Sequence, residues 1–181
     1  MLHKPYLNPQ AFEDYVIKNI IDKSFKSHGA SAGDIGNVLE TELFGTKLKN
    51  SKHDIDFVEN HPSAEIKVYN KYSNSPIHIS RTDKKKHTER QAKNYAVDKI
   101  RNTYLFLAEK CKIETMNYWT KELVMVDGWK YIACYKLGKL NEAYMSEKLS
   151  IRSDKGHTKY ATSISFKNFW HSFAVHNQIS T

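Results

Sequence analysis

The sequence predicts an α/β or α+β fold, a mixed central sheet flanked by helices, and three observations carry that prediction. Apolar residues recur at helical spacing in several separate segments. Short alternating or continuously apolar runs lie between them, and clusters of Asn, Ser, Gly and Pro punctuate the joins. Helical and extended segments that interleave in this way bury their apolar faces by packing helices on a sheet. At 181 residues the chain is expected to form a single domain, residues 1–181, with a sizeable core.

The elements follow in order. Asn8-Pro9 is a helix start, and Phe12, Tyr15, Val16 and Ile20 form an apolar stripe through about residue 25. Lys26 to Ala32 reads as a loop. Ile35, Val38, Leu39 and Leu43 predict a short amphipathic helix over residues 33–44, which Gly45 ends. Asp54 to Val58 and Ala64 to Val68 are extended, with Asn60, His61, Pro62 and Ser63 as the turn of a hairpin. Ser73-Asn74-Ser75-Pro76 turns the chain into a third strand around Ile77 and Ile79. Asp83 is expected to cap a helix that runs to about Arg101 and carries Gln91 and Tyr95. Thr103 to Ala108 reads as a buried strand. Asp127-Gly128 between Leu123–Val126 and Trp129–Leu137 predicts a second hairpin. Phe166, Phe169, Trp170 and Phe173 recur at helical spacing and predict an amphipathic helix in the tail. Trp119, Trp129, Tyr131 and Tyr135 are expected to pack in the core.

Composition narrows the class of function. The chain has 28 Lys+Arg against 20 Asp+Glu, a net charge of +8, with 9 His besides. That balance favours an acidic polymer as partner. Aromatic residues make up 12% of the chain, which argues against disorder. No apolar run approaches the length of a membrane span, and Met1-Leu2-His3-Lys4-Pro5 carries no cleavable signal. A cytoplasmic protein with no membrane partner is expected, with Cys111 and Cys134 as reduced, half-buried thiols. The histidines show no paired metal-ligand spacing. There is no phosphate-cradling Gly-rich loop and no internal repeat.

The chemistry concentrates between residues 33 and 67. In a strand, side chains two apart share a face, so Glu65 and Lys67 point one way and Ile66 the other, with Ala64 and Val68. Asp54 and Asp56 likewise share a face of the preceding segment, and the hairpin brings one of them opposite Glu65 and Lys67. Two carboxylates held close repel unless a cation lies between them. Asp54, Asp56 and Glu65, with the peptide oxygen of Ile66 and water, are therefore candidate ligands of Mg²⁺, for which Mn²⁺ can substitute. Lys67 is placed to stabilise a pentavalent phosphate or to orient and deprotonate the attacking water. Glu40 lies off the centre of the helical stripe before the hairpin, within reach of the cluster.

An acidic residue followed by Glu-x-Lys resembles the signature of the PD-(D/E)XK nuclease superfamily. The upstream Gly33-x-x-Gly36-x-x-x-Glu40 helix ending in Leu43-Phe44-Gly45 is similar to one branch of it. That branch holds the mismatch-repair nicking endonuclease MutH and several type II restriction endonucleases. The resemblance covers about a fifth of the chain. It implies a PD-(D/E)XK core and an active site of Glu40, Asp56 (followed by Phe57), Glu65 and Lys67. The chain departs from the pattern in its second aspartate, Asp54, in a longer turn before Glu65, and in Glu-Ile-Lys where Glu-Leu-Lys is common.

The function expected from these features is Mg²⁺-dependent, site-specific hydrolysis of phosphodiester bonds in double-stranded DNA. A type II restriction endonuclease is the leading form, acting as a monomer or homodimer. The alternatives are a MutH-type nicking enzyme of repair and a catalytically inactive DNA-binding module. Arg81, Lys84, Lys85 and Lys86, in the densest basic run, are expected to grip phosphates. Arg152 to Tyr160 reads as a polar loop between strands whose Arg152, Lys155 and Lys159 are expected to reach base edges.

Overall fold

Described in the computed structural model are residues 6–29, 34–45, 54–139, 147–153, 158–165 and 178–179. Their elements run α1 (Pro9–Asn19), β1 (Ser24–Lys26), α2 (Asp34–Phe44), β2 (Asp54–Ile55), β3 (Ala64–Asn70), β4 (Ile77–Asp83), α3 (Glu89–Arg101), β5 (Thr103–Met116), β6 (Leu123–Lys136), β7 (Leu149–Arg152) and β8 (Lys159–Ile164). The mixture of helices and strands is as the sequence predicts. The single central sheet is not: the strands form a five-stranded sheet in the order β1-β6-β5-β3-β2 and a three-stranded sheet in the order β4-β8-β7. The chain divides into two compact units, Met1–Tyr72 with Tyr104–Cys134 and Ile179–Thr181, and Ser73–Thr103 with Tyr135–Gln178. No helix among the described residues is long and apolar enough to cross a membrane.

In the first unit, Phe12 and Val16 of α1 and Leu39, Leu43 and Phe44 of α2 are buried with Ile55, Ile66, Phe106 and Tyr131 of the sheet. The Asn8 side chain caps α1 by accepting from Ala11 N–H at 2.8 Å, with Pro9 in the first turn. Gly45 ends α2 at a φ of +78°, a left-handed conformation that glycine adopts without a Cβ penalty. In the second unit, α3 packs on the three-stranded sheet and buries Ala92, Ala96, Val97 and Ile100.

Several local expectations differ from the structure. Helix α1 stops at Asn19 rather than running on toward residue 25, because Asp22 turns left-handed (φ 59°) and Ser24–Lys26 pair antiparallel with Gly128–Lys130 of β6. Lys26 thus ends a strand rather than opening a loop. Asp83 ends β4 and caps a tight turn, accepting from Lys85 N–H at 2.8 Å. The helix itself begins at Glu89, where Thr88 and Gln91 exchange the reciprocal bonds of a capping box.

The Asp127-Gly128 pair does not turn the chain but lies inside β6. A Cβ on Gly128 would collide with the Ile113 side chain and lie 2.8 Å from the Phe25 carbonyl oxygen. The glycine therefore serves close approach of neighbouring strands, not a reversal. The reversal between β5 and β6 falls at Tyr118–Lys121, where the Asn117 side chain accepts from the N–H groups of Trp119 (2.9 Å) and Thr120 (3.2 Å). Trp119 at this tip is 86% exposed, whereas Trp129, Tyr131 and Tyr135 are buried as the sequence predicts. Cys111 is half-buried and Cys134 buried, both as free thiols. The tail helix through Phe173 lies outside the described residues.

Candidate metal-binding carboxylate site

Strand β3 positions two of the candidate side chains by simple alternation. Ala64 and Ile66 are buried, and Val68 packs against the same core. Glu65 and Lys67 occupy the opposite face, half-buried, and the Lys67 Nζ lies 2.6 Å from Glu65 Oε1. The two opposite charges are thus paired at hydrogen-bonding distance and partly shielded from water.

The β2–β3 register decides what faces them. Ile55 pairs with Ala64, and Asp54 pairs with Glu65. Directly opposed residues of an antiparallel pair project to one face with their Cβ atoms about 5 Å apart. Asp54 and Glu65 are thus the two carboxylates that the ladder brings together, with Lys67 beside Glu65. Asp56 stands beyond the end of β2 and is solvent-exposed. Phe57, which follows Asp56, bridges to Tyr6 and packs edge-on to Phe12. Its apolar character is thereby accounted for by packing, and the residue opposite Glu65 lies two positions upstream of Asp56.

Glu40 is carried by α2, which packs against β3, and is 1% exposed. The sequence pattern set Glu40 off the centre of the apolar stripe; it is instead buried with Val38, Leu39 and Leu43.

The donor set suits a hard cation. Magnesium is commonly held by one or two carboxylates, with water and substrate phosphate completing its octahedron. Asp54 and Glu65 would supply two carboxylates to such an ion. Among the described residues no three His, Cys, Asp or Glu side chains already converge on one point.

One acid escaped the reading of the sequence as a site residue. Asp34, at the start of α2, is buried and accepts from Trp129 Nε1 (3.0 Å), His28 N–H (2.9 Å) and the Ser27 hydroxyl. Burial pushes its carboxyl upward, but the Ser27, Trp129 and His28 hydrogen bonds outweigh burial and hold it below the usual aspartate range. Its role is architectural, tying the start of α2 to β6. The sequence signal is an aspartate in the first turn of the helix predicted over residues 33–44.

The basic residues fall in the second unit. Arg81 is exposed on β4, and Lys85 and Lys86 are exposed in the turn after it. Lys84 lies 5.5 Å from the centre of the Tyr160 ring, and its N–H donates to the Thr158 carbonyl at 2.9 Å. Arg152 and Lys159 are not loop residues: they are the last residue of β7 and the first of β8. Lys155 lies outside the described residues. Compared with protein-family models, curated proteins and solved structures, the chain matches none.

Proposed function

We propose that this protein is a Mg²⁺-dependent endonuclease of double-stranded DNA, of the PD-(D/E)XK type and closest in role to a type II restriction endonuclease. The observation that carries this reading is the β2–β3 register, which sets Asp54 across from Glu65 with Lys67 on the same face. Asp54, Glu65 and the Ile66 peptide oxygen would hold the cation. When bound, the ion supplies charge at the scissile phosphate and acidifies a water molecule. Lys67 adds a fixed positive charge for the developing phosphorane and a hydrogen-bonding group for the attacking water. Glu40, the fourth residue of the expected active site, is buried on α2, which packs against β3.

A catalytically inactive DNA-binding module is the second reading. It is favoured by one observation: the Lys67 ammonium lies 2.6 Å from the Glu65 carboxylate and offsets its charge. Incubation of purified protein with a plasmid of known sequence and Mg²⁺, followed by mapping of the ends, separates the two. Discrete fragments with a shared end sequence support a restriction-type enzyme. Relaxed circles without linear product indicate nicking. Intact supercoiled plasmid at high protein and Mg²⁺ or Mn²⁺ rejects the enzymatic reading.

A further inference from the structure

The positive charge of this chain is segregated. Ser73–Thr103 and Tyr135–Gln178 hold 15 Lys+Arg and 6 Asp+Glu, a net +9, whereas the remainder holds 13 and 14, a net −1. The unit with the carboxylate cluster is therefore close to neutral, and the excess belongs to the unit built on the β4-β8-β7 sheet.

The register of that sheet sorts its two faces. Ile77, Ile164 and Leu149 form one rung and Ser80, Thr162 and Ile151 another; all but the half-buried Ile151 are buried, and Ser80 and Thr162 share a 2.6 Å hydroxyl bond. The alternate rungs face the other way. Arg81 pairs with Ala161, and Ala161 pairs with Arg152. Two arginines on the outer strands thus flank a small residue on the central strand, about 10 Å apart across two inter-strand spacings. The bulge between His78 and Ser80 puts His78 on the same face as Arg81, opposite Ser163 and Ser150. Lys159 extends the face on the other side, opposite Asp83, whose side chain accepts from Lys85 N–H. His78, Arg81, Ser150, Arg152 and Lys159 are all solvent-exposed.

We infer that the Arg81–Ala161–Arg152 rung is a clamp for the phosphate backbone of duplex DNA. Guanidinium groups recognise phosphate with paired, charge-assisted hydrogen bonds. The short Ala161 side chain leaves a trough between them in which a strand settles, one neighbouring phosphate to each arginine. Lys159 continues the positive track, and the Ser150 and Ser163 hydroxyls, 3.0 Å apart, add an uncharged polar pair. This assignment moves Arg152 from base reading, as the sequence suggested, to backbone positioning. It rests on the DNA reading above for the identity of the polymer, and is independent of whether the protein cleaves.

The test uses the full chain in EDTA, a fluorescent duplex pool of random sequence, and anisotropy at several salt concentrations. Arg81→Ala and Arg152→Ala are each expected to weaken binding on the order of tenfold and to shallow the log–log salt slope by about 0.9. Ala161→Glu, which leaves both arginines in place but sets a carboxylate between them, is expected to match the double Arg→Ala variant. Thermal melting should be unchanged in each. Wild-type affinity and slope in the folded single variants, or equal competition by polyglutamate at matched charge, overturns the clamp. Plasmid cleavage is scored separately. Clamp-dependent binding without cleavage in Mg²⁺ rejects only the endonuclease, and unimpaired cleavage by the double variant rejects only the clamp.

Discussion

Asp54 stands directly across the β2–β3 ladder from Glu65. Asp56, two residues on, has no partner position in β3 and lies outside the strand. Which aspartate joins the cluster is thereby a matter of register, because a pairing shift changes which side chain meets Glu65 without altering the sequence pattern.

The first prediction follows from that register. Asp54→Asn is expected to weaken Mn²⁺ binding at least tenfold, and Asp56→Asn to change it less than threefold, since a carboxylate removed from the coordination set loses both charge and ligand. Calorimetric titration of Mn²⁺ into the two variants reads the difference. Retention of the ion by Asp54→Asn and its loss by Asp56→Asn would shift the working register by two residues.

Glu65→Ala and Lys67→Ala are each expected to lower plasmid cleavage by about a hundredfold or more, the usual cost of removing charge stabilisation at a phosphoryl centre. Both residues are half-buried on the outward face of β3, so the fold should persist. Circular dichroism checks the fold and single-turnover cleavage in saturating Mg²⁺ checks the rate. Wild-type turnover by Lys67→Ala would remove that lysine from the chemistry.

Asp34 makes acid stability testable. Its carboxyl is held below the usual range in the folded chain, so its contribution is present above the ordinary aspartate pKa and is lost as pH falls through the lowered folded value. Asp34→Ala is expected to cost about 1–3 kcal/mol at neutral pH by stranding the Ser27, His28 and Trp129 donors. Its stability should also decline less steeply than wild type on acidification. Denaturant melts between about pH 2 and 7 measure both effects. Parallel pH profiles for the two proteins would show that Asp34 does not titrate in this way.

Gly128→Ala is expected to destabilise the chain by about 1–3 kcal/mol through overpacking. The added methyl meets Ile113 of β5 on one side and the Phe25 carbonyl of β1 on the other. Combining it with Ile113→Ala should recover only part of the loss, because the backbone oxygen cannot move aside. A neutral Gly128→Ala in thermal melting would mean that β1 does not lie against β6 as described.

Features encoded within a few neighbouring residues were legible in the sequence. The start of α1 at Asn8-Pro9, α2 with its Gly45 stop, the outward Glu65 and Lys67 around an inward Ile66, and the buried run at the head of β5 all follow from side-chain period and cap chemistry. Such signals depend on local backbone geometry, which each segment carries with it. Tertiary structure alone decided the rest. The pairing of β2 with β3 chose Asp54 over Asp56, and the approach of β1 and Ile113 turned an apparent Asp127-Gly128 hairpin into continuous strand. Burial of Glu40 and the alignment of Arg81 with Arg152 across Ala161 also depend on partners far away in sequence. Sequence spacing limits which residues can share a face, but the free energy that selects a register comes from the strands and helices that pack against it.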